Sequence, residues 1–387
     1  MTVSLTPEYA LLLDAVAPLP CARADHRDWD GARWGRTLRT AEWHRLSPLL
    51  HCHLRGDEQV PAAVHSALER AYLAASARSL FLTAALHEAL GALAAAEVPA
   101  LLLKGAALLA TAYPDPAQRE MLDLDVLVPA DRLAAANAAL VALGYGALAA
   151  EGRAEHHDPA LVRDERLLAV ELHHQIALAG EGRVDTGELW RHARPVADAT
   201  HLLPAPEHLL LHVCVHFTRN RLGGSHRRRH TGGALAQVCD VARIVAREPL
   251  DWDTLVGAAR DWQLDARVFL ALFAARELGV PVPEPALAAL RPDGFEKRVG
   301  RRLVALRVLG TGEKLPVRSL RWMVAPSREV LRRGWDAEPG ATRSLARAYL
   351  RRARAQAPFA RAALRRPWSV VQDRRLNRQI HALEEGT

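Results

Sequence analysis

Two aspartates in the segment MLDLDVLV, which runs from Met121 to Val128, have a spacing that suits metal-ion chemistry. Apolar residues alternate with Asp123 and Asp125, and this period of two is typical of a β-strand. Both carboxylates would then project from one face of a sheet, about 7 Å apart along the backbone. They would repel each other unless a cation lay between them, and Mg²⁺ binds carboxylate and phosphate oxygens together. The spacing therefore predicts a phosphoryl-transfer site with two Mg²⁺ ions, or Mn²⁺ in their place.

A second alternating segment, Leu168 to His173, supplies a third carboxylate. Its period of two predicts another strand of the same sheet, with Glu171 on the face opposite the apolar residues. Glu171 is therefore the candidate for the third catalytic carboxylate, which would help to hold the metal nearer the acceptor. His173 and His174 lie beside it and are candidates for binding the acceptor or acting as a general base. A structural role for one of them is an equal alternative.

Lys104 and Gly105 follow a short apolar run that indicates a buried strand turning into a helix. Backbone N–H groups at the start of a helix attract phosphate, and glycine allows a close approach. Lys104, Gly105 and Ala106 are therefore candidate nucleotide-binding residues, and Arg119 is a candidate for neutralising the triphosphate. Each signal is weak alone, since a D-x-D strand also occurs as an ordinary solvent-facing strand. Their order along the chain, from glycine turn to D-x-D strand to carboxylate strand, favours a catalytic site.

The strands interrupt a sequence that is otherwise helical in character. Ala, Leu and Arg, which cost least in a helix, dominate, and aromatic residues make up 5%. The pattern predicts an α+β protein in which a small mixed sheet is embedded in a mostly helical chain. We expect four regions, listed in chain order: a helical region at 1–96, the sheet-containing core at 97–180, a helical domain at 181–290 and a basic helical region at 291–387.

The run LLLKGAALLATAYPDPAQREMLDLDVLV, from Leu101 to Val128, and VELHH at 170–174 resemble the uncharacterised nucleotidyltransferase family of bacterial proteins. This family belongs to the DNA polymerase beta-like superfamily, and the resemblance covers about residues 40–285. It implies a polymerase beta-like core and Mg²⁺-dependent transfer of an NMP from an NTP, with ATP as the expected nucleotide. The implied acceptor is a hydroxyl of a peptide natural product, a sugar or a small molecule. The chain departs from the pattern at Ala106, where Ser or Gly is usual, and at Glu171, where Asp is common.

Three histidines, His208, His212 and His216, recur every four residues on a helix predicted from Pro206 to about Phe217. Histidines at this spacing bind zinc in some proteins, and Cys214 lies nearby, but a helix packed against the core is the favoured interpretation. Because this helix resembles the corresponding segment of the family, His212 and His216 are also candidates for contacting the acceptor.

The two departures leave a catalytically inactive nucleotide-binding or scaffold protein of a biosynthetic pathway as an alternative. An RNA-directed protein is another, because residues 297–387 hold 22 basic and 7 acidic residues, a net charge of +15, against −8 for residues 1–296. The arginine stripe at 343, 347, 351 and 354 would suit RNA, a membrane surface or an acidic peptide, but equally a solvated helix face. The cluster HRRRH at 226–230 lies nearer the predicted site and is a candidate for closing over a triphosphate. Nucleic acid is not the favoured partner.

The sequence predicts a cytoplasmic protein without a transmembrane segment. No stretch reaches the roughly 18 uncharged apolar residues needed to span a bilayer. The N-terminus lacks the basic start and apolar run of a secretory signal. The four cysteines are too few and too scattered for a disulfide framework.

Overall fold

The computed structural model describes residues 5–16, 24–147, 160–163, 168–177, 182–221 and 233–309. Its helices, numbered along the chain, are α1 (Pro7–Val16), α2 (Gly31–Trp43), α3 (Ser47–Leu54), α4 (Ala62–Ala95), α5 (Lys104–Thr111), α6 (Leu133–Ala142), α7 (Thr186–Arg191), α8 (Pro206–Arg221), α9 (Ala234–Arg247), α10 (Trp252–Asp261), α11 (Asp265–Glu277), α12 (Glu284–Leu290) and α13 (Lys297–Arg307). The strands are β1 (Ala100–Leu102), β2 (Leu124–Leu127), β3 (Gly146–Ala147), β4 (Leu161–Arg163), β5 (Leu168–His173), β6 (Arg194–Pro195) and β7 (His201–Leu203). Short 3-10 helices lie at Pro116–Gln118 and Ala130–Arg132.

Helices precede the sheet, as the sequence predicts. In α4, Leu82, Leu86, Leu90 and Leu93 are buried and recur every three or four residues. This spacing places them on one face of the helix, which is why α4 packs against α3, α6 and β1. The helix ends beside β1 and so fixes where the first strand of the sheet begins.

The sheet is mixed and is built around three adjacent strands. Among the described residues its strand order is β3-β4-β5-β2-β1-β7-β6. β2 runs parallel to β5 and antiparallel to β1, while β1 runs parallel to β7. Every residue of β2 is buried, because α5 packs on this strand and its neighbours cover its two edges. The α+β class predicted from the sequence is confirmed.

Two features of the sheet differ from the sequence prediction. β2 begins at Leu124, so the segment from Met121 to Asp123 is a bend that precedes the strand. Leu122 accordingly lies 53% exposed, although the alternating pattern grouped it with the inward-facing residues. The sheet also gains β6 and β7, whose residues lie beyond position 180, and the proposed division of the chain into four regions stays a prediction.

The helices that follow the sheet form the second half of the core. α8 packs against α9, α10 and α11, and it also contacts α5 beside the sheet. The helical period of the sequence also predicts helices at 234–247, 251–262 and 264–278, and the structure confirms them as α9, α10 and α11. The HRRRH cluster and the arginine stripe lie outside the described residues. Within the described ranges, no helix has both the length and the apolar character needed to cross a membrane.

Candidate active site

The register between β2 and β5 aligns the two buried carboxylates. In this parallel pair Asp125 lies opposite Glu171, and Leu127 lies opposite His173. Side chains two residues apart on a strand share a face, so Glu171 and His173 project from the same face of the sheet. Asp125 is 2% exposed and Glu171 9% exposed. The pairing therefore brings together two acidic groups that are 46 residues apart in sequence.

Lys104 provides the positive charge at this point. Its Nζ donates a hydrogen bond to Asp125 Oδ1 at 2.5 Å and lies 3.8 Å from Glu171 Oε2. His173 Nε2 lies 2.8 Å from Asp125 Oδ1 and 3.5 Å from Glu171 Oε2. Because an ionised carboxylate only accepts hydrogen bonds, Nε2 of His173 is the donor to Asp125. Four side chains from β2, β5 and the start of α5 thus converge.

The backbone at Lys104 has an unusual conformation. Lys104 has a φ of +44°, a left-handed value that side chains with a Cβ rarely adopt. It is the first residue of α5, and the preceding Leu103 donates its N–H to the carbonyl of Asp125 at 3.0 Å. Strained residues of this kind concentrate at functional sites, where the surrounding structure holds them. The turn directs the Lys104 ammonium towards the carboxylates.

Gly105 is required by packing beside this turn. A Cβ at Gly105 would lie 2.8 Å from Sδ of Met121, whose side chain is buried. The bend before β2 therefore fills the space that a side chain at Gly105 would need. Ala106, the next residue of α5, is also buried.

The electrostatics keep the cluster charged despite its burial. Burial alone would raise the pKa of Asp125, but the charge of Lys104 and the hydrogen bond from His173 hold it well below its usual value. Burial likewise opposes ionisation of Glu171, yet the His173 hydrogen bond and the Lys104 charge leave its pKa lowered. Burial would lower the pKa of Lys104, but the carboxylates of Asp125, Glu171 and Asp123 raise it overall. The site is an ionised cluster at neutral pH.

The donor atoms suit a divalent metal ion. Asp125, Glu171 and His173 each offer one ligand atom, and these atoms lie within 4.8 Å of one another. Carboxylate oxygens are the ligands that Mg²⁺ and Mn²⁺ prefer. The imidazole of His173 also suits the orienting role of a group that hydrogen-bonds a metal-binding carboxylate. Asp123 is half-buried before β2, and its charge acts on Lys104 from there.

A comparison with protein families decides the classification. The model of the family described as uncharacterised nucleotidyltransferase matches residues 30–279, about two thirds of the chain. The chain belongs to this family. Searches of the curated proteins and of the solved structures found no match. Membership of the polymerase beta-like superfamily is consistent with the match.

Arg119 lies in a buried ion pair. Its Nε and Nη2 donate to the two carboxylate oxygens of Asp240 at 2.7 and 2.9 Å. Tyr113 Oη donates to the same carboxylate at 2.8 Å. The contacts tie the 3-10 helix after α5 to α9, which gives Arg119 a structural role as an alternative to the predicted nucleotide binding.

The predicted acceptor-binding histidines have different surroundings. His173 lies within the carboxylate cluster, and His174 is half-buried immediately after β5. His212 and His216 lie on α8, where burial, and after it the charge of Lys104, holds their pKa values well below the ordinary value for histidine. Sequence reasoning brought Lys104, Asp125 and Glu171 to one site, but it did not foresee that His173 would hydrogen-bond Asp125.

Arg219 is a further residue of the site that the sequence analysis missed. It donates to the carbonyl of Ile176, in the segment after β5, at 3.0 Å. Its charge contributes to lowering the pKa of His212 and His216. Its position three residues after His216 on the same helix was the available signal. Among the described residues, the Cys214 region of α8 forms no potential metal-binding cluster, so the zinc alternative gains no support there.

Proposed function

We propose that this nucleotidyltransferase moves an NMP from an NTP, with ATP as the expected substrate, to a hydroxyl group of an acceptor. The observation that carries the proposal is the register of Asp125 with Glu171 on parallel strands, with Lys104 directed at both. Asp125 and Glu171, with Asp123 beside them, would hold Mg²⁺ or Mn²⁺. The bound ion would supply positive charge against the phosphate oxygens of the nucleotide.

The start of α5 suits the triphosphate. The first N–H groups of a helix have no acceptor within the helix, so the amides near Gly105 and Ala106 are available to phosphate oxygens. Lys104 would move or share its ammonium group between Asp125 and the phosphates, since its flexible side chain carries three donors. Binding by the backbone explains how Ala106 can stand where a hydroxyl-bearing residue is usual.

The proposed reaction balances as a single displacement. The oxygen of the acceptor hydroxyl forms a bond to the α-phosphorus, and the bond from that phosphorus to the oxygen that bridges the α- and β-phosphates breaks. The hydroxyl proton leaves to solvent or to a nearby base, and pyrophosphate carries away the electron pair of the broken bond. Positioning and charge neutralisation account for most of the catalysis in such transfers.

The geometry at Glu171 favours an active enzyme over an inactive scaffold. The longer side chain of Glu still brings Oε2 to 3.8 Å from Lys104 Nζ and 3.5 Å from His173 Nε2. Its lowered pKa keeps it ionised, as a metal ligand must be. The extra methylene therefore does not remove the carboxylate from the cluster.

Turnover measurements on carboxylate variants test the proposal. Purified protein is incubated with each of the four NTPs and Mg²⁺, in the presence of peptide, sugar and small-molecule acceptors, and pyrophosphate release is measured. We expect Asp123→Ala and Asp125→Ala to abolish release. Asp131→Ala is the matched control, because Asp131 is an exposed aspartate in the 3-10 helix after β2. Retained activity in both site variants would refute the assignment.

A further inference from the structure

His212 is a buried histidine on the face of α8 next to the active site. α8 packs against α5, whose first residue is Lys104, and Arg219 near its C-terminal end bonds the segment after β5. α8 thus lies against the helix that begins with Lys104, and it is joined by a hydrogen bond to the segment after β5, the strand that carries Glu171. The charges of Lys104 and His173 both act on His212.

The ring nitrogens of His212 have unmet hydrogen-bonding capacity. His212 is 2% exposed, and neither Nδ1 nor Nε2 has a hydrogen-bond partner among the described residues. By contrast, Nε2 of His216, one turn later, lies 2.7 Å from Nδ2 of Asn220. Leaving a buried polar atom unpaired is costly, so such atoms in folded proteins usually indicate a missing partner. At the edge of an active site, the substrate is the partner to consider.

The charge state of His212 defines the chemistry of that partner. Burial, and after it the charges of Lys104, His173 and Arg219, lower the pKa of His212 well below its usual value. The ring is therefore neutral, with one nitrogen as a donor and the other as an acceptor. A neutral imidazole has no charge to offer a triphosphate. A hydroxyl group, which both donates and accepts, matches it.

We infer that His212 binds a hydroxyl group of the substrate, either of the nucleotide ribose or of the acceptor. The inference rests on the proposed function, because it places that hydroxyl beside the carboxylate cluster. His212 is a positioning residue in this account. Its bond to the hydroxyl fixes where the substrate lies relative to Lys104 and Asp125.

The same helix offers a matched control. His208, one turn earlier on α8, is 3% exposed, and its ring nitrogens also lack hydrogen-bond partners among the described residues. However, His208 stacks on Trp262 with 5.1 Å between ring centroids, and its Nε2 lies 3.8 Å from Glu188 Oε1. Its surroundings are thus those of the helical core. Replacing His208 perturbs α8 as replacing His212 does, without touching the inferred hydroxyl site.

The experiment compares variants of His212, and a control variant of His208, with the wild-type protein. His212→Leu and His212→Phe remove both nitrogens at similar volume, and His208→Leu is the control. Thermal melting shows which of the two His212 variants has a melting temperature closest to that of His208→Leu, and this variant is used in the binding measurements. Calorimetry with Mg²⁺ and each NTP identifies the tightest-binding nucleotide. The affinities of its 2′-deoxy and 3′-deoxy analogues are then measured in the same way. Pyrophosphate release with glycerol as the hydroxyl donor is then measured.

The two sources of the hydroxyl give different results. If the ribose is bound, a His212 variant binds the NTP about three- to tenfold more weakly, as expected for one lost hydrogen bond. The wild type then binds one of the deoxy analogues more weakly than it binds the NTP, whereas the His212 variant binds that analogue and the NTP equally well. If the acceptor is bound, NTP affinity is unchanged and KM for glycerol rises by a similar factor. His212→Gln, which keeps a donor and an acceptor, should restore part of either loss.

Two results would overturn the inference, and they are distinguishable. Equal NTP affinity and equal glycerol KM for the His212 and His208 variants would reject the hydroxyl-binding role while leaving the proposed function intact. Wild-type protein that binds no NTP in the presence of Mg²⁺ would reject the proposed function, and this inference with it.

Discussion

Removing the guanidinium of Arg119 is predicted to destabilise the fold strongly and to leave nucleotide affinity unchanged. The structure places this side chain in a two-pronged ion pair with Asp240, whose carboxylate side chain is 4% exposed. Arg119→Leu would leave Asp240 buried, with the hydroxyl of Tyr113 as its remaining donor among the described residues. Breaking a buried pair on one side typically costs about 3–5 kcal/mol, because the other charge stays uncompensated. We expect the free energy of unfolding to fall by about that amount.

A double variant separates the energetic cost of an unpaired buried charge from the net stabilisation that the ion pair provides. In Arg119→Leu/Asp240→Leu neither charge is left buried, and replacing a buried pair with apolar groups is often nearly neutral. The double variant should therefore recover most of the stability lost by Arg119→Leu. The free energies are measured by urea denaturation, and the tightest-binding NTP is titrated into each folded protein.

Two outcomes would refute this reasoning about Arg119. Wild-type stability of Arg119→Leu would show that the pair with Asp240 contributes little. A large loss of NTP affinity, with the stability loss restored in the double variant, would show that Arg119 binds the nucleotide as the sequence suggested. Either result would also show that the Arg119–Asp240 ion pair is not mainly a structural contact between α9 and the region of the candidate site.

Two further predictions concern packing and pH. Gly105→Ala should lower the free energy of unfolding, measured by urea denaturation, by about 1–3 kcal/mol, because the new Cβ would collide with Sδ of Met121. Adding Met121→Ala to this variant should recover part of the lost stability. An unchanged free energy of unfolding in Gly105→Ala would show that packing does not require glycine at this position. Because the pKa of His212 is lowered in the folded protein, the free energy of unfolding is greatest above pH 6.5, the ordinary pKa of histidine in an unfolded chain. Below pH 6.5 the free energy of unfolding decreases by up to about 1.4 kcal/mol per pH unit. Between pH 7.5 and 5.5 the urea midpoint of His212→Leu should therefore fall less than that of the wild type, and parallel curves would contradict the neutral state of the ring.

Local patterns predicted several elements well. The apolar period of α9, which begins after Gly233, gave its bounds at 234–247, and the alternation in β5 gave 168–173. These elements are long or regular enough for their own residues to determine them. The placement of Glu171 on a strand of the same sheet as Asp125 also followed from such patterns.

Long-range pairing could not be inferred in the same way. The alignment of Asp125 with Glu171 depends on the register of two strands, which local sequence does not specify. The partner of Arg119 lies 121 residues away. β7 has three residues and gains its stability from pairing with β1, so its own sequence carries little signal. Asp123 lies just before β2, in a segment whose Met121 packs beside Gly105, a residue 16 positions earlier in the chain.

Manganese binding measured by electron paramagnetic resonance tests the central claim most directly. Mn²⁺ is titrated into the protein without nucleotide, because the triphosphate of an NTP itself binds the ion, and the loss of the free-ion signal reports binding to the protein. We predict that the wild type and the exposed control Asp131→Asn bind alike, whereas Asp125→Asn and Glu171→Gln bind at least about tenfold more weakly. Equal Mn²⁺ affinity in all four proteins would show that the paired carboxylates of β2 and β5 are not a metal site.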